Sequence, residues 1–248
     1  MISLLSCGAF SLSKDAERDN EDAFLLPKKC KDGYLFAIAD GVGSYTGAKE
    51  AAESAIQYLS DLPNFYDIAP DDVLNSIKAK IAEFASMRPE SMKAATTLSY
   101  CAISSKHLDV IHVGDTRVYV KNGNKLQLLT KDHTQHQELF DEGLYTKKEL
   151  DSIPGKNTLT SALSKQLPVR YQHITIPIAD LVDQNGIVTL FIMSDGAHHF
   201  WERRPRFSPN TLSNVTNFAA SLYKRIQRAG PTDDYSLAAA SFQIKSTN

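Results

Sequence analysis

The chain has 248 residues, 42% of them hydrophobic and 23% charged, enough to build a sizeable core in one large domain or two small ones. A formal net charge of −2 leaves no electrostatic footprint for nucleic acid or an anionic membrane surface, so both are set aside as partners. The first residues lack the basic lead of a signal peptide, and no apolar run approaches the ~20 residues of a spanning helix.

In chain order, apolar or alternating runs predict strands at 4–10, 34–39, 98–103, 108–113, 118–120, 187–193 and 236–244. Between the second and third of these, 46–59 is rich in Ala and Glu at helical spacing. The stretch 73–84 sets Val73, Leu74, Ile77, Ile81 and Phe84 on one helical face. A third helix is predicted at 212–226. Asn122-Gly123 between short apolar runs is a hairpin signal. No repeat or low-complexity linker divides the chain, which predicts a single domain over 1–248. Strands cluster rather than alternate with helices, so the order predicts an α+β fold of antiparallel sheets covered by helices. Cys7, Cys30 and Cys101 are odd in number, widely spaced and in no metal-type cluster. They are expected to be buried thiols in a reducing, cytoplasmic setting.

Two of the predicted strands stop on Asp-Gly: "FAIADG" ends on Asp40-Gly41 and "LFIMSDG" on Asp195-Gly196. Asp-Gly between hydrophobic runs is ordinarily a hairpin turn. Neither continuation reads as a returning strand, since a helical segment follows Gly41 and "AHHFWERRP" follows Gly196. "VIHVGD" ends on Asp115, "RDNEDAF" holds Glu21 and Asp22, and "PTDDYSL" holds Asp233 and Asp234. Carboxylates ~4 Å apart repel by roughly 4 kcal/mol at a protein surface, so a converging group needs protons or cations. An oxygen-only donor set suits Mg²⁺ or Mn²⁺ and not structural zinc. Gly41 lets a backbone carbonyl approach such an ion unobstructed.

Taken in order, Asn20-Glu21-Asp22, Asp40-Gly41-Val42-Gly43, "ATTLSYCAIS", "VGDTRVY", "LLTKDHT", "TLTSALS", "FIMSDGA" and "TDDYSL" resemble the motifs of the PP2C-type (PPM) metal-dependent protein serine/threonine phosphatases, in their minimal bacterial form. The resemblance covers nearly the whole chain. It implies a four-layer α–β–β–α sandwich and hydrolysis of phosphoserine or phosphothreonine on proteins, opposing a serine/threonine kinase. It also implies two Mn²⁺ or Mg²⁺ ions. Asp40 would bridge them, the Gly41 carbonyl would bind one, Asp195 and Asp233 the other, and Glu21 and Asp22 would act directly or through bound waters. Asp234 stands where many relatives carry Asn and is read as a support for this set.

The chain departs from the family pattern at three places. The phosphate-holding arginine of many relatives falls at Glu17, with Arg18 one residue along as the candidate to hold substrate phosphate. Val42 replaces a histidine proposed elsewhere as general acid. His199 stands where an aspartate often helps Asp115 and Asp195 to hold a third ion, which predicts a weak third site at Asp115 and His199.

Other chemistry-bearing residues have plainer readings. His133 is expected to stabilise a loop, and His107, His112, His136 and His173 to be structural or exposed. His198 and His199 are functional candidates beside Asp195. Trp201 and Phe200 are expected to pack, and 201–206 to be a solvated basic loop open to acidic phosphopeptides. Residues 140–156 lie where relatives carry a variable flap and are expected to affect substrate choice. Two alternatives remain: a catalytically silent relative serving as a binding module, and a dinucleotide-binding oxidoreductase suggested by "GVGSYTG", whose third glycine comes one residue late.

Overall fold

Alternation along one strand dictates the layering. In β3 (Gly33–Asp40), Leu35, Ala37 and Ala39 point to one side and Phe36 and Ile38 to the other, and all five are fully buried. A strand buried on both faces must lie between two covering layers. The computed structural model, which describes residues 1–43, 45–65, 68–150 and 152–245, supplies them.

One five-stranded sheet runs β10 (Gln172–Pro177), β6 (His107–Val113), β5 (Leu98–Ser104), β3, β2 (Asp22–Lys29). The other runs β1 (Ile2–Leu12), β12 (Tyr235–Ile244), β11 (Ile187–Met193), β7 (Arg117–Asn122), β8 (Lys125–Leu128). Every neighbouring pair is antiparallel. A two-residue pair, β4 (Ala95–Thr96) with β9 (Leu163–Ser164), sits apart.

Three apolar clusters hold the layers together. Leu35, Ala37, Tyr100 and Ile111 of the first sheet pack on Ala55 and Leu59 of α1 (Ala48–Asp61) and on Ile77 and Ile81 of α2 (Pro70–Met87). Phe36, Ile38, Cys101 and Val110 meet Val118, Leu190, Ile192 and Phe242 between the sheets. On the far side, Tyr119, Phe191 and Leu237 pack on Phe200 and Trp201 of α5 (Asp195–Glu202) and on Phe218 and Leu222 of α7 (Val215–Ala229). This is the expected α–β–β–α sandwich.

The predicted strands and helices all form, with ends displaced by a few residues. The third helix is split: α6 (Pro209–Leu212) ends, and Asn214 caps α7 by accepting from Asn217 N–H at 2.9 Å. The Asn122-Gly123 hairpin is present, with Gly123 at φ 56°. Strands β2 and β10 and helix α5 were not foreseen. The flap region carries α3 (Gln135–Asp141) and α4 (Lys147–Leu150), and Asp151 within it lies outside the described residues. Cys30 and Cys101 are buried as expected, but Cys7 is exposed, because it lies on the outer strand of its sheet. No described helix is long and apolar enough to cross a membrane.

Candidate metal centre

The main chain of Asp40, at the last position of β3, is gripped from the side. Its N–H donates to Thr97 Oγ1 (3.1 Å), and its carbonyl accepts from Thr97 N–H (2.8 Å) and Thr96 Oγ1 (3.0 Å). The paired threonines of the sequence therefore lock the strand end and leave the Asp40 carboxylate unbonded among the described residues. Gly41 follows where a Cβ would come within 2.7 Å of Ala48 and Glu21 backbone atoms, so α1 and the segment just before β2 close in on glycine alone.

Asp195 begins α5 directly after β11, and Asp233 precedes β12. Gly196 permits their closeness, since a Cβ there would lie 2.1 Å from the Asp234 carbonyl oxygen. Asp115 sits on the short connection from β6 to β7, where the chain crosses from one sheet to the other. Asp40, Gly41, Asp115, Asp195 and Asp233 together line one cavity of about 320 Å³. Asp115, Asp195 and Asp233 also line a larger adjoining cavity, but Asp40 and Gly41 do not.

Burial dominates the electrostatics. It pushes Asp40 well above the usual carboxylate range, and Asp22, Asp195, Asp115 and Asp233 add to the rise. Asp115 is likewise raised well above it, by burial and then by Asp195. Burial and the neighbouring Asp233 push Asp195 up to about 6. Asp22, opposite Asp40 in the β2–β3 register, is pushed up to about 7 by burial, against the pull of the Ser236 and Ser194 hydroxyls. Ser194 O–H donates to Asp22 Oδ2 at 2.8 Å, while Asp22 Oδ1 is buried without a partner.

An orphaned buried carboxylate oxygen, several like charges at one mouth and an all-oxygen donor set fit hard divalent cations. Among the described residues, however, no three His, Cys, Asp or Glu side chains converge closely enough to form a ligand set as they stand. The carboxylates line a common space rather than a common point. Mutual repulsion favours that spacing.

Other sequence candidates resolve individually. Asp234 accepts from Lys14 N–H (2.9 Å) and Glu21 N–H (2.7 Å), so it ties the 13–21 turn to β12. Glu21 is engaged by Arg18 at 3.3 Å, and Arg18 itself is largely exposed. Lys14, which sequence reasoning passed over, lines the same cavity, is more enclosed than Arg18 and forms no ion pair among the described residues. Only the turn that folds Lys14 onto Asp234, 220 positions away, brings it there.

His199 lines an adjoining cavity of about 540 Å³ together with Asp115 and Asp195. His198 is buried, and burial and Arg117 push its imidazole down to about 3, so it is neutral. Its Nε2–H donates to the Asp115 carbonyl at 3.1 Å, steadying that crossover. His133 Nδ1 accepts from Gly114 N–H at 3.0 Å and its ring stacks on His112, a loop-stabilising role as expected. Arg117 clamps Asp132 through two parallel bonds of 2.9 and 2.7 Å beneath this cavity.

Fold and site together are those of a four-layer sandwich with a carboxylate centre at the rim of its two sheets. A family model described as protein phosphatase 2C matches residues 12–241, and the chain belongs to that family. It is 31% identical over 137 residues to the serine/threonine protein phosphatase PstP of Mycobacterium tuberculosis, a match covering 52% of this chain and 26% of the relative. It is 27% identical over 171 residues to the serine/threonine phosphatase stp of Listeria welshimeri, covering 65% of this chain and 66% of that one. The matches thus span about a quarter and about two thirds of these relatives' lengths. The crystal structure of the PstP catalytic domain in complex with two manganese ions superposes with a TM-score of 0.73 at 24% identity, covering 98% of this chain and 100% of that one.

Proposed function

We propose that this chain, acting as one catalytic domain over 1–248, is a metal-dependent protein phosphatase. It hydrolyses phosphoserine and phosphothreonine on proteins and opposes a serine/threonine kinase in the cytoplasm. The observation that carries this reading is the convergence of Asp40, Asp115, Asp195 and Asp233 on one cavity in a chain of this family. The two manganese ions of the PstP complex support it. Asp40 would be shared by two ions, with the Gly41 carbonyl toward one and Asp195 and Asp233 toward the other. Glu21 and Asp22 would act directly or through bound waters. Bound Mn²⁺ or Mg²⁺ would supply an acidified water as nucleophile and offset charge on the phosphoryl oxygens.

The chain's own groups do the rest. Lys14, with Arg18 beside it, holds the substrate phosphate over the carboxylates. Thr96 and Thr97 keep Asp40 in place, and the His198 bond holds Asp115. With imidazole at His199, the Asp115–His199 site binds a third ion weakly and favours Mn²⁺ over Mg²⁺.

Calorimetric Mn²⁺ and Mg²⁺ titrations with hydrolysis of an aryl phosphate and a phosphothreonine peptide test the reading. The expected result is two tight Mn²⁺ sites, turnover lost on chelation, more activity with Mn²⁺, and one weak site that gains Mg²⁺ affinity in His199→Asp. Undiminished turnover after chelation would overturn the two-metal chemistry. Superimposable titration curves for His199→Asp would remove the third site.

A further inference from the structure

The loop after α5 and the last turns of α7 enclose a groove of about 720 Å³ lined by Arg204, Arg206, Lys224, Arg225 and Arg228, with no acidic side chain among its lining. Arg225 is committed to the fold. Its guanidinium lies 4.1 Å from the Phe207 ring centre and donates to the carbonyls of Phe200, Arg204 and Arg206 at 3.3, 2.7 and 2.9 Å. The other four cations are exposed and form no ion pair among the described residues. The negative end of the α7 dipole accommodates Lys224 and Arg228, but it does not neutralise the group. In a chain of net charge −2, so many unpaired cations in one groove make a local positive field that the overall charge does not reveal.

The groove is connected to the centre. Helix α5 starts at Asp195 and ends beside the groove, and its eight residues rise about 12 Å. Lys147 and Lys156 line the cavity beside Asp195, so cations stand at the mouth of the centre as well as in the groove.

We propose that this groove docks an acidic stretch of the protein substrate, roughly four or more residues along the extended chain from the phosphorylated side chain. The assignment rests on the phosphatase reading above. Cations spaced along one groove suit an extended acidic peptide. Arg225 covers the Phe207 ring, which removes an open platform for stacking a base.

Two phosphothreonine peptides test this, one with a glutamate tail beginning four residues from the phosphothreonine and one with a glutamine tail of equal length. Fluorescence anisotropy measures their binding to the full chain, and turnover is measured beside an aryl phosphate. The wild type is expected to bind the glutamate peptide roughly tenfold more tightly, as several exposed ion pairs acting together allow, with the preference fading at high salt. Arg204→Ser/Arg206→Ser/Lys224→Ser/Arg228→Ser should erase the preference and raise KM for that peptide alone, leaving aryl phosphate turnover unchanged. Lys224→Glu, a single exposed change, should shift both in the same direction. Equal binding of the two peptides by the wild type, or an undiminished preference in the fourfold variant, would overturn the docking site. So would tighter, variant-sensitive binding to phosphatidylserine vesicles or single-stranded DNA. Failure of the phosphatase reading looks different: aryl phosphate and both peptides would go unhydrolysed, while anisotropy would still report the groove.

Discussion

Thr96 and Thr97 fix the main chain of Asp40 and leave its carboxylate among four others. Two opposite effects follow from removing that charge. Asp40→Asn and Asp195→Asn should each cut turnover by roughly 10³-fold or more, the scale of lost electrostatic stabilisation. The same variants should melt higher than wild type in chelator, because a repelling buried charge is gone. Steady-state kinetics and thermal melts on one preparation check both, and a folded Asp40→Asn enzyme with near-normal turnover would contradict the shared-ligand role. Lys14 and Arg18 separate in the same way. Lys14→Ala should raise KM about tenfold or more with a smaller loss in kcat, consistent with ~1.5–3 kcal/mol for a charge-assisted hydrogen bond, and Lys14→Arg should restore much of it. Arg18→Ala should cost less, since Glu21 already occupies its guanidinium. Equal KM effects from the two would contradict this ranking.

At the scale of elements, legibility followed burial. Strands β3, β5 and β11 are buried almost throughout, so they read as unbroken apolar runs. Strand β2 was hidden by Pro27 and by a register shift between Leu25 and Lys28, and edge strand β10 by its brevity, since only Ile174 and Ile176 carry the alternation before Pro177. Asp40, Asp195 and Asp233 could be read because each lies at or beside one end of a strand, where the pattern switches between Asp and apolar residues. Lys14 could not, and His198 stood out only as a candidate beside Asp195, because the Lys14–Asp234 and His198–Asp115 contacts form only once distant segments meet. Helix α5 was masked by its own first residues, since Asp195-Gly196 reads locally as a turn. Gly196 is what lets that helix start against the Asp233–Asp234 backbone. Gly196→Ala should destabilise the fold by about 1–3 kcal/mol through overpacking. It should also weaken Mn²⁺ binding by driving Asp195 and Asp233 apart. A melt and a Mn²⁺ titration indistinguishable from wild type would show that α5 can shift without cost.

For the whole molecule, the centre makes stability depend on pH and on cations together. Asp195 and Asp22 are raised in the folded state to about 6 and about 7, against an ordinary value of 3.8. A raised acid contributes stability that is complete below the unfolded value and lost as pH climbs through the folded one. The chelated protein should therefore melt at progressively lower temperature as pH rises from about 5 to 8, with Mn²⁺ flattening the trend. A chelated profile without slope over that window would mean the carboxylates are not strained in solution. The centre also straddles a boundary. Asp22 and Asp40 belong to one sheet, while Asp195 and Asp233 adjoin the ends of strands in the other. Between the sheets the contact is apolar through Phe36, Ile192 and Phe242, but at this end it turns polar, bridged by Ser194–Asp22 and Asp234–Glu21. Hydrostatic pressure acts on voids and drives water into such seams. Compression should open the molecule from this rim first, parting the two halves of the centre while each sheet keeps its own ladder of hydrogen bonds.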